Sequence, residues 1–152
     1  MARATSRRII ITGASSGIGQ ALAERYAARG ATLGLIARRE AGLKLLAARL
    51  LSPTRIYPLD VRDAEGLAAA ASDFMSRHGC PDVVIANAGV SVGTLTECAE
   101  DVQTFQDVMD VNVVGMLKTF QPFVARMRER GQGMLVGIAS VAAYRGLPGA
   151  GC

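Results

Sequence analysis

The sequence predicts an α/β protein: a doubly wound parallel sheet with helices on both faces. Three observations carry that expectation. Short apolar runs alternate with helical patterns from one end of the chain to the other, the order expected of strand–helix units joined by right-handed crossovers. A glycine-rich turn, residues 13–19, stands between the first apolar run and the first helical pattern, where backbone N–H groups at a helix start are left free. Half of the residues are hydrophobic but only 5% are aromatic. Ala, Leu, Val, Gly and Ile must therefore build the core, a mixture suited to short buried strands on Ala-rich helices.

Each element follows from local pattern. Residues 8–12 form a short buried strand. Residues 17–29 read as a helix with Ala21, Leu22, Tyr26 and Ala27 at apolar positions, ended by Gly30. Residues 32–37 are a second strand, and residues 40–50 a second helix stopped at Ser52-Pro53, since the residue before a proline is pushed out of the helical region. A weaker strand at 55–58 leads to an Ala-rich helix at 63–77, with Asp63 placed to cap it. Residues 82–86 form the fourth strand, followed by a polar loop at 91–99.

A long helix is expected over 101–130, with Gly115 and Pro122 inside the pattern. An interior proline costs a helix about 3 kcal/mol, which predicts a kink or break near Pro122. Residues 131–133 are a turn, 134–139 the fifth strand, and 140–152 a loop containing Gly and Pro. No repeat, low-complexity segment or linker divides the chain, so residues 1–152 read as one domain.

Charge and cysteine usage narrow the function classes. The net charge is +4, which fits an Arg-rich solvated surface or a site for an anionic ligand. No basic run carries interleaved aromatics, so no nucleic-acid partner is expected. The three cysteines, Cys80, Cys98 and Cys152, are odd in number and widely spaced, which argues against a disulfide scaffold and a zinc site. The single histidine, His78, falls at a helix end, where a capping role is expected. A reducing cytoplasm is the expected compartment. The apolar run at 9–11 is cut off by Gly13, too short for a signal peptide, and no run approaches a membrane span.

The turn reads Thr12-Gly13-Ala14-Ser15-Ser16-Gly17-Ile18-Gly19. One glycine permits the tight turn, a second lets backbone approach a pyrophosphate, and a third lets the helix pack close to the strand. The spacing is GxxxGxG, and the segment resembles the cofactor loop of the short-chain dehydrogenase/reductase family. Asp60-Val61, Asn87-Ala88-Gly89, Asn112 and Ser140 follow in that family's order. The resemblance runs from about Ile9 to the last residue. It implies a Rossmann-type sheet of strand order 3-2-1-4-5 that stops short of the family's C-terminal elements. It also implies a cofactor site made by Gly13, Ser15, Ser16, Gly17, Ile18 and Gly19.

The end of the second strand bears on the choice of dinucleotide. An acid there binds the ribose 2′-hydroxyl, whereas an arginine pairs with a 2′-phosphate. This chain has Ala37 followed by Arg38 and Arg39. Arg38 is the first candidate for the phosphate and Arg39 the second, so NADP(H) is expected over NAD(H). The competing reading is that both simply begin an exposed helix, and Glu40 stands beside them. By resemblance, Asp60 would bond the adenine amino group with Val61 packed beside it. Asn87, Ala88 and Gly89 would pass along the ribose and nicotinamide.

The resemblance also implies a catalytic set: a tyrosine that gives a proton to the developing alkoxide, and a lysine one turn later that tunes it. Ser140 matches the serine that bonds the substrate oxygen, and Asn112 the asparagine that supports a proton-relay water. The YxxxK pair is not in this sequence. Tyr144 is followed four residues later by Pro148 and sits too near Ser140. By the family's spacing the tyrosine belongs just after Cys152. The expectation is therefore the N-terminal portion of an oxidoreductase acting on a carbonyl or secondary alcohol, inactive by itself. A non-catalytic dinucleotide-binding or dimerisation module is the alternative. Apolar residues around the 101–130 helix, among them Phe105, Val108, Val111, Met116, Phe120, Phe123 and Met127, predict a homo-oligomer through that helix.

Overall fold

The computed structural model describes residues 6–95 and 97–141. It contains β1 (Arg8–Thr12), α1 (Gly17–Ala27), β2 (Thr32–Ala37), α2 (Glu40–Ala47), β3 (Thr54–Pro58), α3 (Ala64–His78) and β4 (Val83–Ala86). Then come α4 (Asp101–Met109), a π-helical turn (Asp110–Val114), α5 (Gly115–Arg130) and β5 (Met134–Gly137). The five strands form one sheet in the order β3-β2-β1-β4-β5, every pair parallel. This is the doubly wound, Rossmann-type arrangement expected.

Alternation along the central strands sorts the core into two layers. Side chains on a strand point to opposite faces in turn. Ile9, Ile11, Leu33 and Leu35 face Ala23 and Ala27 of α1 and Leu43 and Leu46 of α2. Ile10, Ile36 and Val84 face Leu67, Ala71 and Phe74 of α3 and Phe123 and Met127 of α5. All three isoleucines of β1 are at most 1% exposed, so the first strand is the spine of both layers.

The first two helices end earlier than the sequence predicts, while the third runs one residue further, to His78. α1 stops at Ala27, and Arg29 and Gly30 close tighter bonds onto the Tyr26 and Ala27 carbonyls at 3.0 and 2.8 Å. α2 stops at Ala47, with Arg49 and Leu50 doing the same on Leu46 and Ala47. Such tightened last turns satisfy carbonyls that no fourth residue reaches. On α1 the buried stripe is Gly19, Ala23 and Ala27, and Ala21 is exposed. Asp63 does cap α3, accepting from the Gly66 N–H at 2.9 Å.

The long helix departs further from expectation. It is not one helix broken near Pro122. It is α4 and α5 joined by the π-helical turn, and α5 runs through Pro122. Phe123 and Met127, 2% and 7% exposed, dock that part of α5 into the second core layer, and this packing carries the helix past the proline. β4 begins one residue late because Asp82 is held by arginines. Arg8 Nη2 and Arg130 Nη1 lie 2.9 and 3.0 Å from Asp82 Oδ1. β5 ends at Gly137, although the Ile138 N–H still reaches the Ala86 carbonyl.

His78 closes α3, its ring tilted against Phe74 at 5.1 Å, and Gly79 follows at φ +83°. Cys80 and Cys98 are half-buried thiols. Among the described residues no helix is long and apolar enough to cross a membrane. Tyr144, Cys152 and most of the loop expected at 140–152 lie outside the described residues, as does the start of the chain before Ser6.

Candidate functional site

The connections leave β1 and β4 in opposite directions along the sheet, so a crevice opens at their carboxyl ends. A cavity of about 390 Å³ lies there. Five separate stretches of sequence line it: Gly13, Ser15, Ser16 and Ile18 from the glycine turn; Arg38 and Arg39 after β2; Asp60 and Val61 after β3; Asn87, Ala88 and Gly89 after β4; and Val111 of the π-helical turn. Of the residues expected to hold cofactor, only Gly17 and Gly19 are outside the lining.

The two glycines have separate jobs. Gly17 has φ +55° and open space where a side chain would stand. That is a backbone an L side chain adopts at a cost, beside a surface left clear. Gly19 is packed. A Cβ on it would press on the Gly13 carbonyl and lie 2.5 Å from Asn87 Nδ2. This is the close approach of helix to strand that the third glycine was expected to permit.

Asn87 is committed to the protein. Its Nδ2 donates to the Thr12 and Gly13 carbonyls at 3.0 and 3.3 Å. The Asn87 and Ala88 N–H groups both donate to Thr12 Oγ1, at 3.0 and 3.1 Å. Thr12 is fully buried and joins the glycine turn to the segment after β4. The sequence reading gave it no role, although it opens the glycine motif and a hydroxyl at a strand end has little other use.

Arg39 and Arg38 behave differently. Arg39 Nη2 donates to Ser16 Oγ at 3.0 Å and reaches Ser15 Oγ at 3.5 Å, so it already leans over the turn. Arg38 is 63% exposed, with Nη1 4.0 Å from Asp60 Oδ2. Asp60 is gripped by Arg62, another residue without an expected role. The Arg62 N–H and Nε donate to Oδ1 at 2.9 and 3.1 Å, and Nη2 donates to Oδ2 at 2.9 Å. These hydrogen bonds hold the Asp60 carboxyl below its ordinary range against the opposing effect of burial. The signal for Arg62 was its place two residues after an aspartate, the spacing of an aspartate-capped turn.

Asn112 lies in the π-helical turn, outside the cavity lining. Its Oδ1 accepts from the Val90 N–H and its Nδ2 donates to the Val90 carbonyl, both at 2.9 Å. A π turn is wider than an α turn and often sits at a functional site; here it carries the carboxamide that fixes the chain after Gly89. Ser140 is exposed three residues beyond β5 and also outside the lining. The fold places both at the carboxyl side of the sheet.

A family model described as short chain dehydrogenase matches residues 7–152. The chain is 34% identical over 148 residues to a 2-dehydro-3-deoxy-L-rhamnonate dehydrogenase (NAD(+)) of Sphingomonas sp. (strain SKA58), covering 97% of this chain and 59% of that protein. It is 36% identical over 144 residues to 11-beta-hydroxysteroid dehydrogenase A of Sesamum indicum, covering 92% of this chain and 41% of that protein. A solved alcohol dehydrogenase from the archaeon Thermococcus sibiricus, complexed with 5-hydroxy-NADP, superposes with a TM-score of 0.88 at 32% identity, covering 96% of this chain and 63% of that one. The chain thus spans about half the length of the curated relatives it matches.

Proposed function

The chain belongs to the short-chain dehydrogenase family, and on that premise we propose that it is the NADP(H)-binding part of an oxidoreductase acting on a carbonyl or secondary alcohol. The observation that carries the cofactor choice is the group of donors at the edge of the cavity. Arg38 and Arg39 follow Ala37, and Arg39 lies against the Ser15 and Ser16 hydroxyls. Two guanidinium groups and two hydroxyls suit a phosphate dianion, which forked charge-assisted bonds recognise well. No carboxylate stands at Ala37 to take a ribose 2′-hydroxyl. Relatives and neighbours include both NAD and NADP proteins, so the choice rests on these arginines.

The residues present fit a dinucleotide. The open face at Gly17 and the adjoining start of α1 suit a pyrophosphate. On this reading Asp60 meets the adenine and Ala88-Gly89 the nicotinamide, and all three residues line the same cavity. When bound, the dinucleotide supplies or accepts the hydride. Ser140 then hydrogen-bonds the substrate oxygen. Asn112 holds the Val90 segment beneath the nicotinamide side and supports a proton-relay water. The acid–base tyrosine and lysine are not among these 152 residues, so this chain by itself gives negligible turnover.

Residues of α4, the π turn and α5 support assembly into a homo-oligomer. Val102, Leu117 and Val113 are 68%, 66% and 53% exposed, more apolar surface than one docked face leaves behind. The free thiols Cys80 and Cys98 are consistent with a reducing, cytoplasmic setting. Titration with NADPH and NADH tests the cofactor assignment. Tighter binding of NADPH is expected, and equal affinity would overturn it.

A further inference from the structure

We propose that Arg62 is a positioning residue that sets selectivity for the 2′-phosphate: it occupies the Asp60 carboxylate and so leaves Arg38 free to meet the phosphate. The inference rests on the NADP(H) reading above. Arg62 does not line the cavity, so it acts through its neighbour.

Among the described residues Asp60 is the only carboxylate that lines this cavity, and it lies within reach of the arginine expected to bind phosphate. Both of its oxygens are taken by Arg62, through three bonds of 2.9 to 3.1 Å. Arg38 meets it only at 4.0 Å, beyond hydrogen-bond distance. Without the Arg62 fork, Asp60 would be an unpaired anion on the cavity wall. It would draw the Arg38 guanidinium into a direct pair and would repel a phosphate dianion well inside the screening length. Arg62 also has neighbours on the side of the helices beside it. Lys118 Nζ donates to its carbonyl at 2.7 Å, and the charges of Asp107 and Asp110 favour its guanidinium from the side of α4 and the π turn. The contrasting reading is an ordinary surface pair two residues apart, which would not touch ligand choice.

Calorimetric binding of 2′,5′-ADP and 5′-AMP separates the two readings. These probes share the adenine and differ by the 2′-phosphate, so any effect of Asp60 on adenine cancels in the ratio of their affinities. Arg62→Gln is expected to lower the preference for 2′,5′-ADP by roughly three- to fivefold at low salt, the size of a modest exposed charge pair. Arg62→Lys, which keeps the charge without the fork, should lower it less. Asp60→Asn combined with Arg62→Gln should restore it, because no carboxylate is left to capture Arg38. An unchanged ratio in Arg62→Gln, or no recovery in the double variant, overturns the inference. The wild-type ratio and Arg38→Ala distinguish the two levels: equal wild-type affinity for the two probes overturns the NADP(H) reading itself, and an unchanged ratio in Arg38→Ala overturns the role of Arg38 on which this inference depends.

Discussion

Asn112 and the Val90 backbone hold each other through two hydrogen bonds of 2.9 Å, one in each direction. The pair joins the π-helical turn to the strand-end segment that follows Gly89. Asn112→Ala leaves a half-buried N–H and carbonyl without partners, which costs about 1–3 kcal/mol. Urea unfolding should show that loss together with weaker dinucleotide binding. Asn112→Asp keeps the acceptor but sets a carboxylate against the Val90 carbonyl, so it should be as damaging at neutral pH and recover on acidification, when the acid can donate. Wild-type stability in Asn112→Ala would show that the Val90 segment is held by something else.

Gly17 and Gly19 should respond to alanine for different reasons. At Gly19 the added methyl runs into the Gly13 carbonyl and Asn87 Nδ2, and overpacking of this kind costs about 1–3 kcal/mol. At Gly17 there is room but φ is +55°, so the cost is the left-handed backbone, about 1–2 kcal/mol. Gly19→Ala should therefore shift the helix against β1 and shorten amide-exchange protection of the Thr12–Asn87 contacts. Gly17→Ala should leave that protection intact. The same exchange pattern in both variants would contradict this division of labour.

At the other end of the sheet, Asp82 gives a pH dependence. Burial pushes its carboxyl up, but the side-chain and backbone hydrogen bonds of Arg8, with the charges of Arg8 and Arg130, outweigh it and hold it below its ordinary value. A depressed folded pKa contributes stability above the unfolded value, near pH 4, and loses it as pH falls through the folded one. The acid limb of the stability curve should thus begin below about pH 4. Asp82→Asn should flatten that limb and cost roughly 1.5–3 kcal/mol at neutral pH, the range for hydrogen bonds to a charged group. An unaltered acid limb in the variant would assign acid unfolding to other carboxylates.

Much of the scaffold is legible in the sequence because its signals are local. The strands β1 and β2 begin and end where their apolar runs do, and Asp63 caps the helix it precedes. The π turn was not legible. Nothing in Asp110-Val111-Asn112-Val113 differs from helical sequence, and the turn's bonded partner, Val90, lies far along the chain. Pro122 misled for the complementary reason: its penalty is local, while the packing of Phe123 and Met127 that offsets it is tertiary. At the site, glycine spacing marked the turn. Asn87 is named by its motif yet used as a strut, and for Arg62 the sequence offers only its spacing from Asp60, which marks a turn and not the fork that occupies the carboxylate.

The seam between β1 and β4 is fastened at both ends. Arg8 and Asp82 clamp it where the strands begin, and Thr12 and Asn87 clamp it where they finish. The floor of the crevice is therefore fixed, and its side walls are the parts left to adapt. Arg38 stands on one wall, exposed and unclamped. On the proposed reading, a nucleotide here would rest on a bed whose depth the fold fixes, while the choice between nucleotides would fall to the exposed arginines at its rim.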